Sequence, residues 1–315
     1  MSFHIYGKEG KGKLPPFEVN QRLNDPSLYK PSTGLINAVN VALNLGQPLL
    51  LTGEPGTGKT QLAYHIAWFF ELGDPLIFNA QTTSSATDLF YRYDALAHFQ
   101  YNQNNANALS DDEIEQLFIN YQALGSAIIE QERKVVLLDE IDKAPRDLPN
   151  DVLAAIEKLQ FDVPEINKTY ETSANNRPII IMTSNSEKNL PDAFLRRVIY
   201  YHIPFPEAES LLDIISGKVD QFTQEELRLI VNHFNNIRED KSLKLKKLPA
   251  TAELIFWANL LKKLNFPIAK LPDIAKLSEE EKEQLVTSYS VLAKTREDLE
   301  TLKEKVQGKT RRKRR

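Results

Sequence analysis

The chain has 315 residues, with 39 Lys and Arg against 43 Asp and Glu, a formal net charge of −4 and 42% hydrophobic residues. At ~100–200 residues per domain, this length predicts one large domain or one domain with a smaller companion, and the composition is ordinary for a globular protein. Cysteine is absent and only five histidines occur, which excludes a disulfide framework, a thiolate zinc site and a cysteine nucleophile.

The N-terminal region, residues 1–25, is rich in Gly, Lys and Pro and is predicted to be an extended segment. It lacks a basic stretch followed by a long apolar run, so we do not expect a signal peptide. The longest apolar runs, such as residues 135–138, are too short to span a bilayer. We therefore expect a cytoplasmic protein without a membrane segment.

Residues 34–45 have apolar side chains at helical spacing, and Gly46 follows as a residue suited to end the helix. Short apolar runs come next, separated by longer segments of helical pattern. The runs are residues 48–52, 75–78, 135–138, 178–182 and 198–203, and the predicted helices are 60–71, 111–132 and 148–159. This alternation predicts a parallel sheet covered by helices on both faces. Residues 101–110 are Asn-rich and are predicted to be a surface loop.

After residue 206 the strand-like runs stop, and only helices are predicted, at residues 207–216, 223–240, 251–264 and 279–306. The expected division is therefore a nucleotide-binding domain at 26–205, a helical lid domain at 206–300 and a tail at 301–315. The tail carries a net charge of +7, which leaves −11 on the rest of the chain. Residues 309–315 could bind nucleic acid or an acidic partner, although a solvated terminus is the simpler interpretation.

A complete phosphate-binding loop pattern, GxxxxGK[ST], lies between the first predicted strand and the following helix. It consists of Gly53, Glu54, Pro55, Gly56, Thr57, Gly58, Lys59 and Thr60, followed by Gln61 in the first helical turn. Backbone amides of such a loop surround the phosphates, the lysine contacts the β- and γ-phosphates, and the Thr60 hydroxyl binds Mg²⁺. The predicted fold is thus a P-loop NTPase αβα sandwich with a parallel sheet and a smaller all-α lid.

Two further strands end in polar residues at the edge of the sheet where ligands bind. Asp139 and Glu140 follow the apolar run 135–138. An acid at the first position holds the Mg²⁺ shell, and the adjacent Glu can orient the attacking water. Asn185 follows the run 178–182 and is placed to contact the γ-phosphate or that water, although it could instead form an ordinary turn.

Two adjacent arginines, Arg196 and Arg197, follow a short predicted helix. Arginine stabilises charge on a transferring phosphoryl group, including in trans. Surface charge is the alternative interpretation. A strand, Asn185, a short helix, the two arginines and another strand follow one another in the sequence, and this order favours a catalytic role for the arginines.

Taken together, these motifs resemble those of the AAA+ ATPases over roughly residues 30–260. The segment 191–197 (PDAFLRR), and an insert at 86–94, resemble the MoxR-like members. This resemblance implies a Mg²⁺-dependent ATPase that forms a ring, usually a hexamer, in which Arg197, or else Arg196, completes the neighbour's site. It also implies a chaperone with a protein substrate or a von Willebrand A-type partner.

One position departs from the MoxR-like pattern. Ala250 occupies the place of the lid arginine that contacts the γ-phosphate, and Lys246 or Lys247 could substitute. Two alternatives to a protein-remodelling ATPase therefore stay open. One is a nucleic-acid motor or loader that uses residues 309–315, and the other is a nucleotide-gated switch with little turnover. A GTPase is disfavoured because the residues after Asn167-Lys168 lack the Asp of the guanine-reading motif.

Overall fold

A computed structural model describes residues 21–105, 108–130, 132–186, 190–220 and 222–308. The basic tail at 309–315 and most of the predicted N-terminal segment lie outside these described residues. Contacts divide the chain into a first unit, Pro31–Pro204, and a second, helical unit that combines residues 205–308 with residues 21–30.

The first unit alternates strands with helices. Its strands are β1 (Leu49–Thr52), β2 (Leu76–Asn79), β3 (Tyr91–Tyr93), β4 (Ile119–Tyr121), β5 (Val135–Asp139), β6 (Gln160–Val163), β7 (Lys168–Glu171), β8 (Ile179–Thr183) and β9 (Ile199–His202). Its helices are α1 (Thr33–Leu45), α2 (Lys59–Phe69), α3 (Ala95–Asn104), α4 (Asp111–Phe118), α5 (Ala123–Ile129), α6 (Leu148–Lys158) and α7 (Asp192–Leu195).

Five strands form one parallel sheet in the order β2-β5-β8-β1-β9. Alternate strand residues such as Leu50, Val136 and Met182 belong to one hydrophobic cluster. The residues between them, including Leu49 and Leu137, are also fully buried. Since successive side chains of a strand point to opposite faces, both faces of the sheet are covered, which confirms the predicted α/β class.

The predicted helix at 111–132 is wrong. Helix α4 begins with a capping box, in which Ser110 and Glu113 exchange hydrogen bonds, but it ends at Phe118. Strand β4 follows and pairs antiparallel with β3, so that Tyr121 lies opposite Tyr91, and only then does α5 begin. The predicted loop at 101–110 is also partly wrong, because α3 extends to Asn104. A second hairpin, β6–β7, had no counterpart in the prediction.

A shared carboxylate joins the two hairpins. Glu115 on α4 accepts hydrogen bonds from Tyr121 on β4 at 2.7 Å and from Tyr170 on β7. Its second oxygen accepts one from the Lys168 ammonium at 2.6 Å. The aromatic ring of Phe161 on β6 stacks on Tyr170 with ring centres 5.3 Å apart. Helix α4 and both hairpins are therefore tied into one polar and aromatic cluster.

The second unit is helical, as its sequence predicts. Its helices are α8 (Ala208–Lys218), α9 (Gln224–Glu239), α10 (Thr251–Lys263), α11 (Glu279–Ser288) and α12 (Arg296–Val306). The predicted single helix at 279–306 is wrong, since α11 and α12 are separate. The break occurs because Thr295 adopts an extended backbone and caps α12, accepting a hydrogen bond from the Asp298 amide at 3.1 Å.

The core of the helical unit contains a polar group that is satisfied internally. His233 Nε2 lies 2.7 Å from the Tyr289 hydroxyl, and its ring stacks on Trp257. Burial lowers the pKa of His233 to about 4, so the imidazole is neutral near pH 7. This histidine is a packed core residue.

Across the described part of the chain, every helix is too short or too polar to cross a bilayer.

Two helical glycines differ in the space around them, which gives a stability prediction. A Cβ at Gly125 in α5 would lie 1.9 Å from the Phe90 carbonyl oxygen, whereas at Gly217 in α8 the nearest atom would be 3.9 Å away. We expect Gly125→Ala to lower the free energy of unfolding by about 3 kcal/mol or more, because backbone must move. Gly217→Ala should raise it by roughly 0.5–1 kcal/mol through helix propensity.

Thermal unfolding followed by circular dichroism measures both variants under identical conditions. Gly217→Ala is the matched control, since it makes the same chemical change in a helix with free space. An unchanged melting temperature for Gly125→Ala would show that α5 does not pack against the Phe90 backbone as closely as described.

Candidate active site

The predicted phosphate-binding loop connects β1 to α2. Gly53, Gly56 and Gly58 have φ angles of 144°, 78° and 88°, a region that residues with a Cβ rarely adopt. At Gly53 a Cβ would also lie 2.5 Å from the Ile203 carbonyl oxygen. Glycine is therefore required where the loop leaves the sheet, and the loop can bring its backbone amides close to a phosphate.

Side chains of the loop hold its shape. The Thr57 hydroxyl donates to the Glu54 carbonyl at 2.9 Å. Lys59 is 8% exposed, and its ammonium donates to the Gly53 and Glu54 carbonyls at 2.8 and 3.0 Å. Burial lowers the pKa of Lys59, and the carboxylate of Asp139 acts in the opposite direction. Glu54, Pro55 and Gly56 are exposed, and Gln61 is half-buried in the first turn of α2.

The two residues predicted to bind a metal are in contact. Thr60 Oγ1 donates to the two carboxylate oxygens of Asp139 at 3.2 and 3.4 Å. A hydroxyl and a carboxylate are hard oxygen donors, which Mg²⁺ prefers together with waters and substrate phosphates. The donor set thus fits a Mg²⁺ ion shared with a bound nucleotide.

Glu140 follows directly after Asp139 with a left-handed backbone, φ 55°. One of its carboxylate oxygens accepts a hydrogen bond from the Asn185 side chain at 3.4 Å. The other forms an ion pair with Lys143, three residues further along the chain. The Asn185 amide donates to Asp142 at 3.3 Å, so Asn185 is fixed beside Glu140 through both its side chain and its backbone.

Thr183 is a site residue that the sequence interpretation missed. Its side chain is buried at the end of β8, and its hydroxyl donates to Asp139. The same hydroxyl accepts a hydrogen bond from the Glu140 amide at 2.9 Å. A threonine that ends an apolar strand is ordinary in a sequence. The only signal in the sequence was its position directly after the apolar run 178–182 and two residues before Asn185.

Arg196 and Arg197 lie just after α7, and both are exposed. Their backbone amides donate to Asp192 and Phe194 carbonyls at 3.2 and 3.0 Å. Within the described residues, neither guanidinium contacts the P-loop, Asp139 or Glu140 of the same chain. The structure therefore does not bring the predicted arginines together with the other site residues within one subunit.

In the helical unit, Ala250 immediately precedes α10, and its amide donates to Glu253 at 3.0 Å. Lys246 forms an ion pair with Glu297 at 2.7 Å. The amides of Lys246 and Lys247 both donate to Asp298, at 2.8 and 3.3 Å. The predicted substitute lysines are thus anchored to α12 by their backbone, and one of them also by its side chain.

Comparison with solved structures finds two Thermotoga maritima RuvB variants. Each is 14% identical to this chain, and their TM-scores are 0.41 and 0.43. The matches cover 85% and 81% of this chain, and 75% and 73% of the respective RuvB chains.

Among curated proteins, the gas vesicle ATPase GvpN of Haloferax mediterranei is 24% identical over 206 residues. GvpN1 of Halobacterium salinarum, also a gas vesicle ATPase, is 26% identical over 208 residues. Each match covers 62% of this chain, and the chain spans 58% of the length of these relatives. Residues 48–198 match the model of the AAA domain of the dynein-related subfamily. The P-loop, Asp139, Glu140, Asn185 and both arginines lie inside that range, so the region that carries the candidate site is similar to an AAA domain.

Proposed function

We propose that this chain is a Mg²⁺-dependent ATPase that works as an oligomeric ring, with a hexamer favoured, and remodels or assembles a protein partner. One observation carries the enzymatic part of the proposal. Thr60 in α2 donates to Asp139 at the end of β5, and Asn185, just after β8, donates to Glu140, which directly follows Asp139. The Thr183 hydroxyl completes the chain of hydrogen bonds, because it contacts both Asp139 and the Glu140 amide.

Each residue has a role that follows from its position. Amides of the loop 53–58 and the Lys59 ammonium bind the phosphates, while Thr60 and Asp139 hold Mg²⁺. When bound, Mg²⁺ neutralises charge that develops on the phosphates. Glu140 orients the attacking water and accepts its proton, and Asn185 keeps the Glu140 carboxylate in place.

Ring formation is supported by the position of the two arginines, which in the described part of the chain do not contact the other site residues of their own subunit. A phosphoryl transfer site of this type uses an arginine to stabilise charge in the transition state. Arg197 is exposed after α7 and makes no contact with the carboxylates of its own chain in the described residues. It is therefore available to a neighbouring subunit, and Arg196 is the second candidate.

The partner is proposed to be a protein, of the von Willebrand A type or another substrate. Support comes from the MoxR-like motifs, and from the names of the curated relatives, which link those proteins to gas vesicles. The acidic character of residues 1–300, with a net charge of −11, does not favour a continuous basic channel for nucleic acid.

The ATPase rate per subunit, measured against protein concentration, tests the proposal. We expect the rate to rise as the ring assembles, and Arg197→Ala to lower it by roughly 10³-fold, the effect of an arginine finger. Arg196→Ala, a neighbouring change of equal charge, should have a much smaller effect.

Mixing two inactive variants tests whether the arginine acts in trans. Arg197→Ala subunits keep Glu140, and Glu140→Gln subunits keep Arg197, so mixed rings contain some complete sites. Partial recovery of activity on mixing is the expected result. A rate independent of concentration, with no recovery on mixing, would show that each subunit completes its own site.

A further inference from the structure

A single hydroxyl group connects the two acidic residues of the site. Thr183, at the end of β8, is 1% exposed. Its Oγ1 donates its proton to Asp139 Oδ1 and accepts the Glu140 amide proton at 2.9 Å. A hydroxyl has one donor and two acceptor lone pairs, so one atom can make both bonds. A valine side chain has nearly the same shape as threonine but can form neither of these two hydrogen bonds.

The first bond fixes the carboxylate of Asp139. Thr60 Oγ1 also donates to this carboxylate, at 3.2 Å to the oxygen that Thr183 contacts. Asp139 therefore lies between a hydroxyl from α2 and a hydroxyl from β8. Hydrogen bonds of this kind orient a metal ligand, and residues that orient ligands strongly affect metal affinity.

The second bond fixes the backbone of Glu140. This residue has φ 55° and ψ 46°, a left-handed conformation that is unfavourable for a residue with a side chain. Its amide proton is directed to Thr183 in this conformation. The same backbone geometry places the Glu140 carboxylate beside the Asn185 side chain. Without the Thr183 acceptor, the Glu140 amide would lose its partner.

We propose that Thr183 is a positioning residue that sets Asp139 for Mg²⁺ and Glu140 for the attacking water through one shared hydroxyl. The inference rests on the proposed ATPase function and adds a residue to it. Thr183 acts through its two neighbours and does not itself touch the nucleotide.

The test compares Thr183→Val, which removes only the hydroxyl, with Thr183→Ser, which keeps it. We expect Thr183→Val to lower kcat by roughly 10- to 100-fold and to raise the Mg²⁺ concentration needed for half-maximal rate by a similar factor. ATP binding measured without Mg²⁺ should change little, because the P-loop and Lys59 are intact. Thr183→Ser should recover most of the activity and the Mg²⁺ dependence.

Thr172→Val is a matched control, since the Thr172 hydroxyl is buried and makes no hydrogen bond. It should leave both quantities unchanged. If Thr183→Val keeps the wild-type kcat and Mg²⁺ dependence, the inference is wrong. It is equally wrong if Thr183→Ser is as impaired as Thr183→Val, because the methyl packing would then be the important feature.

A failure of the proposed function is distinguishable from these outcomes. If the wild-type ring hydrolyses no ATP, the ATPase proposal fails. The role of Thr183 is then tested by the increase in ATP affinity that Mg²⁺ causes, which is called tightening below. Weaker tightening in Thr183→Val than in Thr183→Ser would support the inference. Equal tightening in the two variants would overturn it.

Discussion

Glu140→Gln is expected to lower the ATP turnover rate by at least about 100-fold, while ATP binding is retained. The amide has nearly the shape of the carboxylate but cannot accept a proton from water. Its oxygen can still accept the hydrogen bond that Asn185 donates to Glu140. The ion pair with Lys143 is lost, but Asp139, Thr60 and the P-loop are unchanged. Steady-state turnover and equilibrium binding of ATP, measured on the same preparation, separate the two effects.

Glu157→Gln is the charge-matched control for this experiment. Glu157 is exposed on α6, so the same change of charge occurs away from the site. It should leave turnover and binding unaltered. Turnover of Glu140→Gln within a few-fold of wild type would exclude Glu140 as the base and require another group to activate water.

Lys59→Met is expected to weaken ATP binding by roughly 10- to 100-fold, in proportion to a lost hydrogen bond between charged groups. Methionine keeps most of the buried aliphatic stem but removes the ammonium. The Gly53 and Glu54 carbonyls would also lose the donor that holds the loop. Isothermal titration with ATP and Mg²⁺ measures the change in dissociation constant directly.

Lys276→Met controls for the loss of one positive charge, because Lys276 is exposed and forms its ion pair with nearby Asp273. Its ATP affinity should equal that of the wild type. If Lys59→Met binds ATP as tightly as Lys276→Met, the loop 53–60 is not the phosphate-binding element, and the candidate site is misassigned.

The main sheet could be predicted because short, continuous stretches of sequence identify its strands. The runs that became β1, β5 and β8 are continuous and apolar, and each is buried on both faces, so neighbouring sequence is sufficient to identify them. The P-loop is equally local, since its glycines and its lysine lie within eight consecutive residues.

The errors arose where long-range pairing decides the structure. Residues 119–121 continue a helical pattern, but Tyr121 pairs with Tyr91, thirty residues earlier, and forms a strand. Intrinsic preference is weak against such tertiary contacts. Thr183 was missed for the same reason, because its role depends on Asp139 and Glu140, which are more than forty residues away in the chain.

The hydrogen bonds of the Glu115 carboxylate connect parts of the first unit that are distant in the sequence. It ties α4 and β4 to β7, and β6 continues directly from the end of α6, which follows the loop after Glu140. On the α3–α4 pair, Leu96 and Phe99 are 66% and 59% exposed. Glu115 and the chain connection from α6 to β6 therefore link these helices, through the second hairpin, to α6. The two hairpins are thus tied into one body, which α6 connects to the loop that follows Glu140.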